Sequence, residues 1–113
     1  MAAELTIAEI QARLAAGTLT VVELTRRYLQ RIAEIDVDGP SLRSVLEVNP
    51  DALTIAAALD ASPGPRGPLY GVPILLKDNI ETGDRMQTTA GSLALAGAPA
   101  AADAALAARL RAA

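Results

Sequence analysis

The amino-acid sequence predicts an α/β fold, with helices arranged around a sheet that this chain leaves incomplete. Helical segments alternate with extended apolar segments near 42–48 and 72–77, and such alternation is typical of helix-covered sheets. The unbroken run Ile74-Leu75-Leu76 is typical of a strand buried on both faces. Because two or three strands cannot cover their own edges, we expect residues 1–113 to be one piece of a larger domain. An alanine-rich helical scaffold is the alternative.

Composition excludes several classes of function. The chain has no cysteine and no histidine, so we predict no disulfide, no metal site and no cofactor. The net charge is −3, no basic block is present, and only 2% of the residues are aromatic, which argues against nucleic-acid binding. No apolar run is long enough for a membrane span and no signal peptide is visible, so we expect a cytoplasmic protein.

Two capping boxes predict where the first two helices begin. Thr6-Ile7-Ala8-Glu9 and Thr20-Val21-Val22-Glu23 each place a threonine three residues before a glutamate. Gly17 suits the left-handed residue that follows a helix end. The second helix is predicted over about 20–36, because apolar residues recur there at helical spacing. These residues are Val21, Leu24, Tyr28, Ile32 and Ile35.

The remaining elements are shorter. We predict a strand within 42–48, and a third helix that begins with Asn49 as N-cap and ends near residue 61. Three prolines and two glycines in 62–68 indicate a surface loop, and 83–89 is predicted as another loop. A short helical turn is predicted at 91–95, followed by a fourth helix over 101–113.

Lys77 is the candidate catalytic residue, because it stands at the end of the apolar segment 72–77. A lysine in that position often extends to solvent and does nothing else, and spacing alone favours this interpretation. A buried lysine is different, because burial lowers the pKa of an amine toward values that suit proton transfer.

The sequence around that lysine resembles the amidase signature family of serine hydrolases. The resemblance is carried by Gly71-Val72-Pro73-Ile74-Leu75-Leu76-Lys77-Asp78-Asn79-Ile80 and extends to the segments 66–70 and 88–95 and to the N-terminal helices. It implies an α/β/α sandwich with a mixed sheet, of which 1–113 is the N-terminal part of a single domain. Within the family, the sequence is most similar to bacterial peptide amidases, which remove C-terminal amides from peptides. The A subunit of glutamyl-tRNA amidotransferase is a sister possibility.

The resemblance also implies a mechanism for cleaving linear amide C–N bonds. In the family a nucleophilic serine attacks, a second serine on a cis peptide relays the proton, and a lysine, here Lys77, acts as base and then as acid. The two serines belong to a Gly/Ser-rich segment that this sequence lacks, and Ser92 is better explained as an N-cap. We expect Asp78 and Asn79 to hold the lysine loop.

The expected partners are therefore a small amide or peptide-amide substrate and the remainder of the amidase domain, with no nucleic acid and no membrane. We expect the chain alone to be inactive, because it carries only one member of the triad. A non-catalytic helical interaction domain, derived from such an enzyme, is the rival interpretation.

Overall fold

The computed structural model describes residues 4–113. The first three residues, part of the segment in which we predicted no signal peptide, lie outside the described residues. The described helices are α1 (Ile7–Ala15), α2 (Val21–Arg31), α3 (Ala52–Ala61) and α4 (Ala105–Ala112). A π-helical turn, Ile32–Val37, continues α2, and a 3₁₀ turn spans Leu93–Leu95. Within 4–113 every helix is too short or too polar to cross a membrane.

The starts of α1 and α2 are as the sequence predicts. The Thr6 hydroxyl accepts a hydrogen bond from the Glu9 N–H at 3.2 Å, and the Glu9 carboxylate accepts one from the Thr6 N–H at 2.8 Å. Thr20 and Glu23 form the same reciprocal pair at the start of α2. Gly17 is left-handed, with φ +69°, as expected. Together, α2 and the π-helical turn cover 21–37, close to the predicted 20–36.

The core lies where α1, α2 and α3 meet. Its buried side chains are Ile10, Leu14, Leu19, Val21, Leu24 and Ala56. At the edge of this core, the Asp60 carboxylate in the last turn of α3 accepts hydrogen bonds from the N–H groups of Val21 (2.8 Å) and Val22 (3.0 Å). These two N–H groups have no partner within α2, because the first turn of a helix lacks the preceding carbonyls. Asp60 therefore joins the end of α3 to the start of α2.

Two helix starts differ from prediction. Asp51, not Asn49, occupies the N-cap position of α3, and the Asn49 side-chain oxygen instead accepts a hydrogen bond from the Asp51 N–H at 2.9 Å. The fourth helix begins at Ala105 instead of 101, because the residues before it bond to the 81–83 loop. The Ala104 N–H donates to the Glu81 carbonyl (2.9 Å), and the Asp103 carboxylate accepts from the Gly83 N–H (2.7 Å).

The predicted mixed sheet is not confirmed in the part of the chain that the structure describes. Residues 42–48 do not form a strand, and the N–H groups of 42–45 are bonded to Ile35 and Asp36 instead. The Asp36 carboxylate accepts hydrogen bonds from the N–H groups of Ser44 (2.7 Å) and Val45 (3.0 Å). Arg43, inside the predicted strand, has φ +55°, which is incompatible with β structure. The β pairing found within 4–113 is a single antiparallel bridge between Gln87 and Pro99.

The segment 72–77 has no regular secondary structure and is neither paired nor buried. No strand among the described residues lies beside it, and Ile74, Leu75 and Leu76 are 44%, 74% and 36% exposed. The buried strand that the sequence predicts is therefore absent from this structure. The described chain is also open, with a radius of gyration of 15.1 Å, against about 13 Å for a compact chain of this length.

Candidate active site

The lysine segment, residues 72–77, is attached to the helical core at its first residue. Val72 packs against the core, and the Tyr70 hydroxyl donates a hydrogen bond to the Leu59 carbonyl at 2.5 Å. Between them, Gly71 lies so close to α2 that a Cβ there would be 2.6 Å from Val21 Cγ2. The path of the chain into the lysine segment is therefore fixed by contacts with α2 and α3.

Asp78 attaches the other end of the lysine segment. One of its carboxylate oxygens accepts a hydrogen bond from the Thr89 N–H at 3.0 Å, and the other accepts one from the Thr89 hydroxyl. The Asp78 carbonyl accepts a third, from the Ala90 N–H, at 2.9 Å. The bonds from the Thr89 hydroxyl and N–H outweigh the effect of burial and lower the pKa of Asp78 below its ordinary value of 3.8. The expectation that Asp78 holds the lysine loop is confirmed.

The segment that Asp78 binds is a strained turn. Ala90 and Gly91 both have positive φ, +49° and +76°, and the Ser92 N–H donates to the Thr89 carbonyl at 2.8 Å. Two consecutive left-handed residues define a type I′ turn, and at the alanine this conformation costs about 1–2 kcal/mol. We call residues 89–92 the left-handed turn. Sequence reasoning assigned no role to Thr89; its position eleven residues from Asp78 gave no local signal.

Ser92 behaves as the sequence predicts. Its hydroxyl accepts a hydrogen bond from the Ala94 N–H at 3.3 Å and caps the 3₁₀ turn Leu93–Leu95. Within 4–113 this hydroxyl donates no hydrogen bond to a base, which a nucleophilic serine requires. Asn79, also expected to hold the lysine loop, is exposed, and among the described residues its side chain forms no hydrogen bond. That part of the prediction is wrong.

Lys77 itself stands between the two attachments with its side chain exposed. Within 4–113 the Lys77 amine has neither an ion-pair partner nor a hydrogen-bond acceptor. Exposed leucines lie on both sides of it in sequence, Leu75 at 74% and Leu93 at 92% exposure. The lysine segment is thus fixed at both ends, and exposed apolar side chains flank Lys77 in sequence.

A concave region of about 310 Å³ lies between α1 and the 66–70 loop, away from the lysine segment. Its polar groups are used within the protein: the Arg66 guanidinium donates to the Leu14 carbonyl at 3.2 Å and lies 5.1 Å above the centre of the Tyr70 ring. Its one hydroxyl, that of Tyr70, donates to the Leu59 carbonyl, and no carboxylate, lysine, serine or threonine lines it, so the lysine segment is the better candidate.

Comparison with known proteins identifies the family of this chain. The profile of the amidase family matches residues 23–113. Native peptide amidase from Stenotrophomonas maltophilia superposes on 96% of this chain and 23% of its own, with a TM-score of 0.90 and 53% identity. An amidase family protein from Bacillus anthracis superposes on 96% of this chain and 22% of its own, with a TM-score of 0.88 and 39% identity.

A curated relative matches as well. The A subunit of glutamyl-tRNA(Gln) amidotransferase from Chloroflexus aurantiacus is 46% identical over 98 residues, which are 82% of this chain and 19% of that protein. The chain thus spans about a fifth of the length of the proteins that it matches. The described residues have the fold of the corresponding part of solved amidases, and the profile covers most of the sequence. The chain belongs to the amidase family.

Proposed function

We propose that this chain supplies the lysine base of an amidase that hydrolyses linear carboxamide C–N bonds by a Ser-Ser-Lys mechanism. The observation that carries the proposal is the position of Lys77, between a segment packed on the helical core and a carboxylate that bonds to the left-handed turn. This lysine lies in a chain that is 53% identical to a peptide amidase. Peptide amides are accordingly the proposed substrates.

In the proposed reaction the neutral Lys77 amine takes up a proton from the nucleophilic serine, relayed by the second serine. The serine oxygen then bonds to the amide carbonyl carbon. The ammonium group returns the proton to the leaving nitrogen as the C–N bond breaks, which leaves an acyl-enzyme. Water hydrolyses the acyl-enzyme by the same proton transfers, so the lysine finishes neutral. Lysine can serve as base in a serine hydrolase without histidine.

The remainder of an amidase domain would provide both serines and would cover the lysine segment. Exposed apolar side chains mark the surface to be covered, and those nearest the lysine in sequence are Ile74, Leu75, Leu76, Leu93 and Leu95. A lysine must be desolvated to lose its proton near neutral pH. Covering this surface would therefore both complete the core and activate the base.

A hybrid enzyme tests the proposal. In this hybrid amidase, the segment of the Stenotrophomonas maltophilia peptide amidase that superposes on this chain is replaced by this chain. We expect the hybrid to release ammonia from peptide amides. Lys77→Ala should abolish that release, because loss of a general base costs about 10²–10⁴ in rate, and more within a triad.

The control is a check on folding: the circular dichroism spectrum and the thermal midpoint of the Lys77→Ala hybrid should equal those of the parent hybrid. An active Lys77→Ala hybrid that retains near-parental turnover would exclude Lys77 as the base. A folded hybrid with Lys77 intact but no activity would show that this chain cannot complete a peptide amidase site.

A second candidate is the corresponding part of the glutamyl-tRNA(Gln) amidotransferase A subunit, favoured by the 46% identity to the Chloroflexus aurantiacus protein. Replacing the matching segment of that A subunit by this chain gives a second hybrid, which distinguishes the two candidate functions. Activity restored only in the amidotransferase host would favour this candidate, and activity restored only in the peptide amidase host would favour the first.

A further inference from the structure

One residue, Asp78, attaches the lysine segment to the left-handed turn. Asp78 directly follows Lys77, and it bonds to the N–H and hydroxyl of Thr89 through its side chain and to the Ala90 N–H through its carbonyl. Three hydrogen bonds to two consecutive residues fix both the position and the direction of the chain at residue 78. The chain is therefore fixed at the residue that directly follows Lys77.

The turn on the other side of these bonds is strained. Ala90 has φ +49°, and a non-glycine residue stays in that conformation only where its surroundings fix it. The Asp78 carbonyl supplies one such constraint, through the Ala90 N–H. Another is internal to the turn, where the Thr89 hydroxyl accepts a hydrogen bond from the Gly91 N–H at 3.2 Å. Strain of this kind concentrates at functional sites, and here it lies against the residue next to the candidate base.

We propose that Asp78 is a positioning residue for the amidase reaction: by bonding to Thr89 and Ala90, it fixes the point from which the Lys77 side chain extends. This inference rests on the proposed function. A lysine side chain has four rotatable bonds, so an error in its backbone position is amplified at the amine. Catalytic groups have to be held within about 0.5 Å of their productive positions, which makes the attachment of residue 78 important for turnover.

The chain contains a natural control for this role. The Asp36 carboxylate likewise accepts bonds from an N–H and a hydroxyl of one residue, those of Ser44, the N–H at 2.7 Å, and it also accepts one from the Val45 N–H at 3.0 Å. Asp36 stands in the π-helical turn and has no candidate catalytic residue beside it. A carboxylate that only holds the fold together should behave like Asp36, whereas a positioning residue should not.

The experiment compares isosteric variants in the hybrid amidase. We expect Asp78→Asn to lower kcat by about 10–100-fold while KM changes less than about threefold, because the base is misplaced and substrate contacts are kept. We expect Asp36→Asn to lower the thermal midpoint but to leave kcat unchanged well below that midpoint. Thr89→Ser keeps the N–H and hydroxyl bonds to the Asp78 carboxylate and should retain kcat. Thr89→Val loses the hydroxyl bonds to Asp78 and from the Gly91 N–H but keeps the Thr89 N–H bond to the Asp78 carboxylate, and it should give a smaller loss than Asp78→Asn.

The outcomes separate this inference from the proposed function. Loss of activity in Lys77→Ala together with parental kcat in Asp78→Asn would overturn the positioning role and leave the lysine base in place. Parental activity in Lys77→Ala would overturn the proposed function itself. If Asp78→Asn does not fold, the Thr89 pair decides: equal kcat for Thr89→Val and Thr89→Ser would overturn the positioning role, and a loss confined to Thr89→Val would support it.

Discussion

Gly71 and Val21 are in such close contact that a single methyl group on Gly71 would lie 2.6 Å from Val21 Cγ2. Gly71 also has φ +72°, so it combines a left-handed backbone with a contact that no larger residue can make. This contact brings the start of the lysine segment against the first turn of α2. The position of Lys77 therefore depends on a glycine six residues before it.

We predict that Gly71→Ala is more destabilising than Gly17→Ala, although the two glycines have nearly equal φ values of +72° and +69°. Gly17 has open space around it, so alanine there should cost about 1 kcal/mol for the left-handed backbone alone. At Gly71 the overlap with Val21 should add about 1–3 kcal/mol. Thermal unfolding of the two hybrid variants measures the difference. Equal shifts of the midpoint would show that the Val21 contact relaxes without cost.

We predict that Asp60→Asn destabilises the protein by about 1–2 kcal/mol, because the carboxylate that binds two N–H groups of α2 is replaced by a weaker acceptor. Asp38→Asn is the control, since Asp38 is exposed and its side chain bonds to none of the described residues. Chemical denaturation of the hybrid gives both values. A loss of stability at Asp38 as large as at Asp60 would point to a general charge effect instead of a cap.

Lys77→Arg should be nearly as inactive as Lys77→Ala in the hybrid amidase. Arginine retains the charge and most of the length, but a guanidinium group does not release its proton near neutral pH. The measurement is ammonia release from a peptide amide over a range of pH. Turnover near that of the parent enzyme would mean that the positive charge, and not proton transfer, is what the site requires.

The chain by itself should release no ammonia from any amide and should self-associate. Its exposed apolar segments, 74–76 and 93–95, have no cover within residues 4–113. Sedimentation at several concentrations measures the association, and adding the remaining segment of the peptide amidase in trans should reduce it. A monomer with a sharp, cooperative melt would show that the helices leave less apolar surface to cover than we infer.

Acid should loosen the attachment of α4. The bond from the Gly83 N–H and then the Arg111 side chain lower the pKa of Asp103 below its ordinary 3.8. A carboxylate whose pKa is lower in the folded state stabilises the protein fully above its unfolded pKa and loses that effect as the pH falls through the folded pKa. Unfolding free energy should therefore fall more steeply between about pH 4 and pH 2 in the parent than in Asp103→Asn. Identical slopes in the parent and in Asp103→Asn would show that Asp103 does not contribute to the pH dependence of stability.

Short-range chemistry is the part of this fold that the sequence predicts well. The two capping boxes, the left-handed Gly17 and the cap at Ser92 each join residues only a few positions apart, so their partners are visible in a short window of sequence. The same holds for the loop at 62–68, where proline removes N–H donors. The resemblance around Lys77 was enough to indicate the family, which the comparisons then established.

Long-range partners could not be predicted from the sequence. Asp36 accepts hydrogen bonds from N–H groups of the predicted strand. Asp60 caps a helix 38 residues earlier in the chain, and Asp78 bonds to Thr89 eleven residues later. One signal existed for Asp60, since an acid in the last turn of a helix opposes the helix dipole and needs a partner elsewhere. No comparable signal marked Asp36 or Thr89.

The sequence by itself thus determined where α1 and α2 begin, because a capping box depends on residue types at fixed local spacing, and its resemblance around Lys77 indicated the family and the candidate base. Only the tertiary structure decided that residues 42–48 and 72–77 form no strand, and that Lys77 is exposed. A strand forms only when its backbone bonds to a neighbouring strand, and a side chain is buried only when another layer covers it. Both depend on atoms distant in sequence, so no local pattern can establish either.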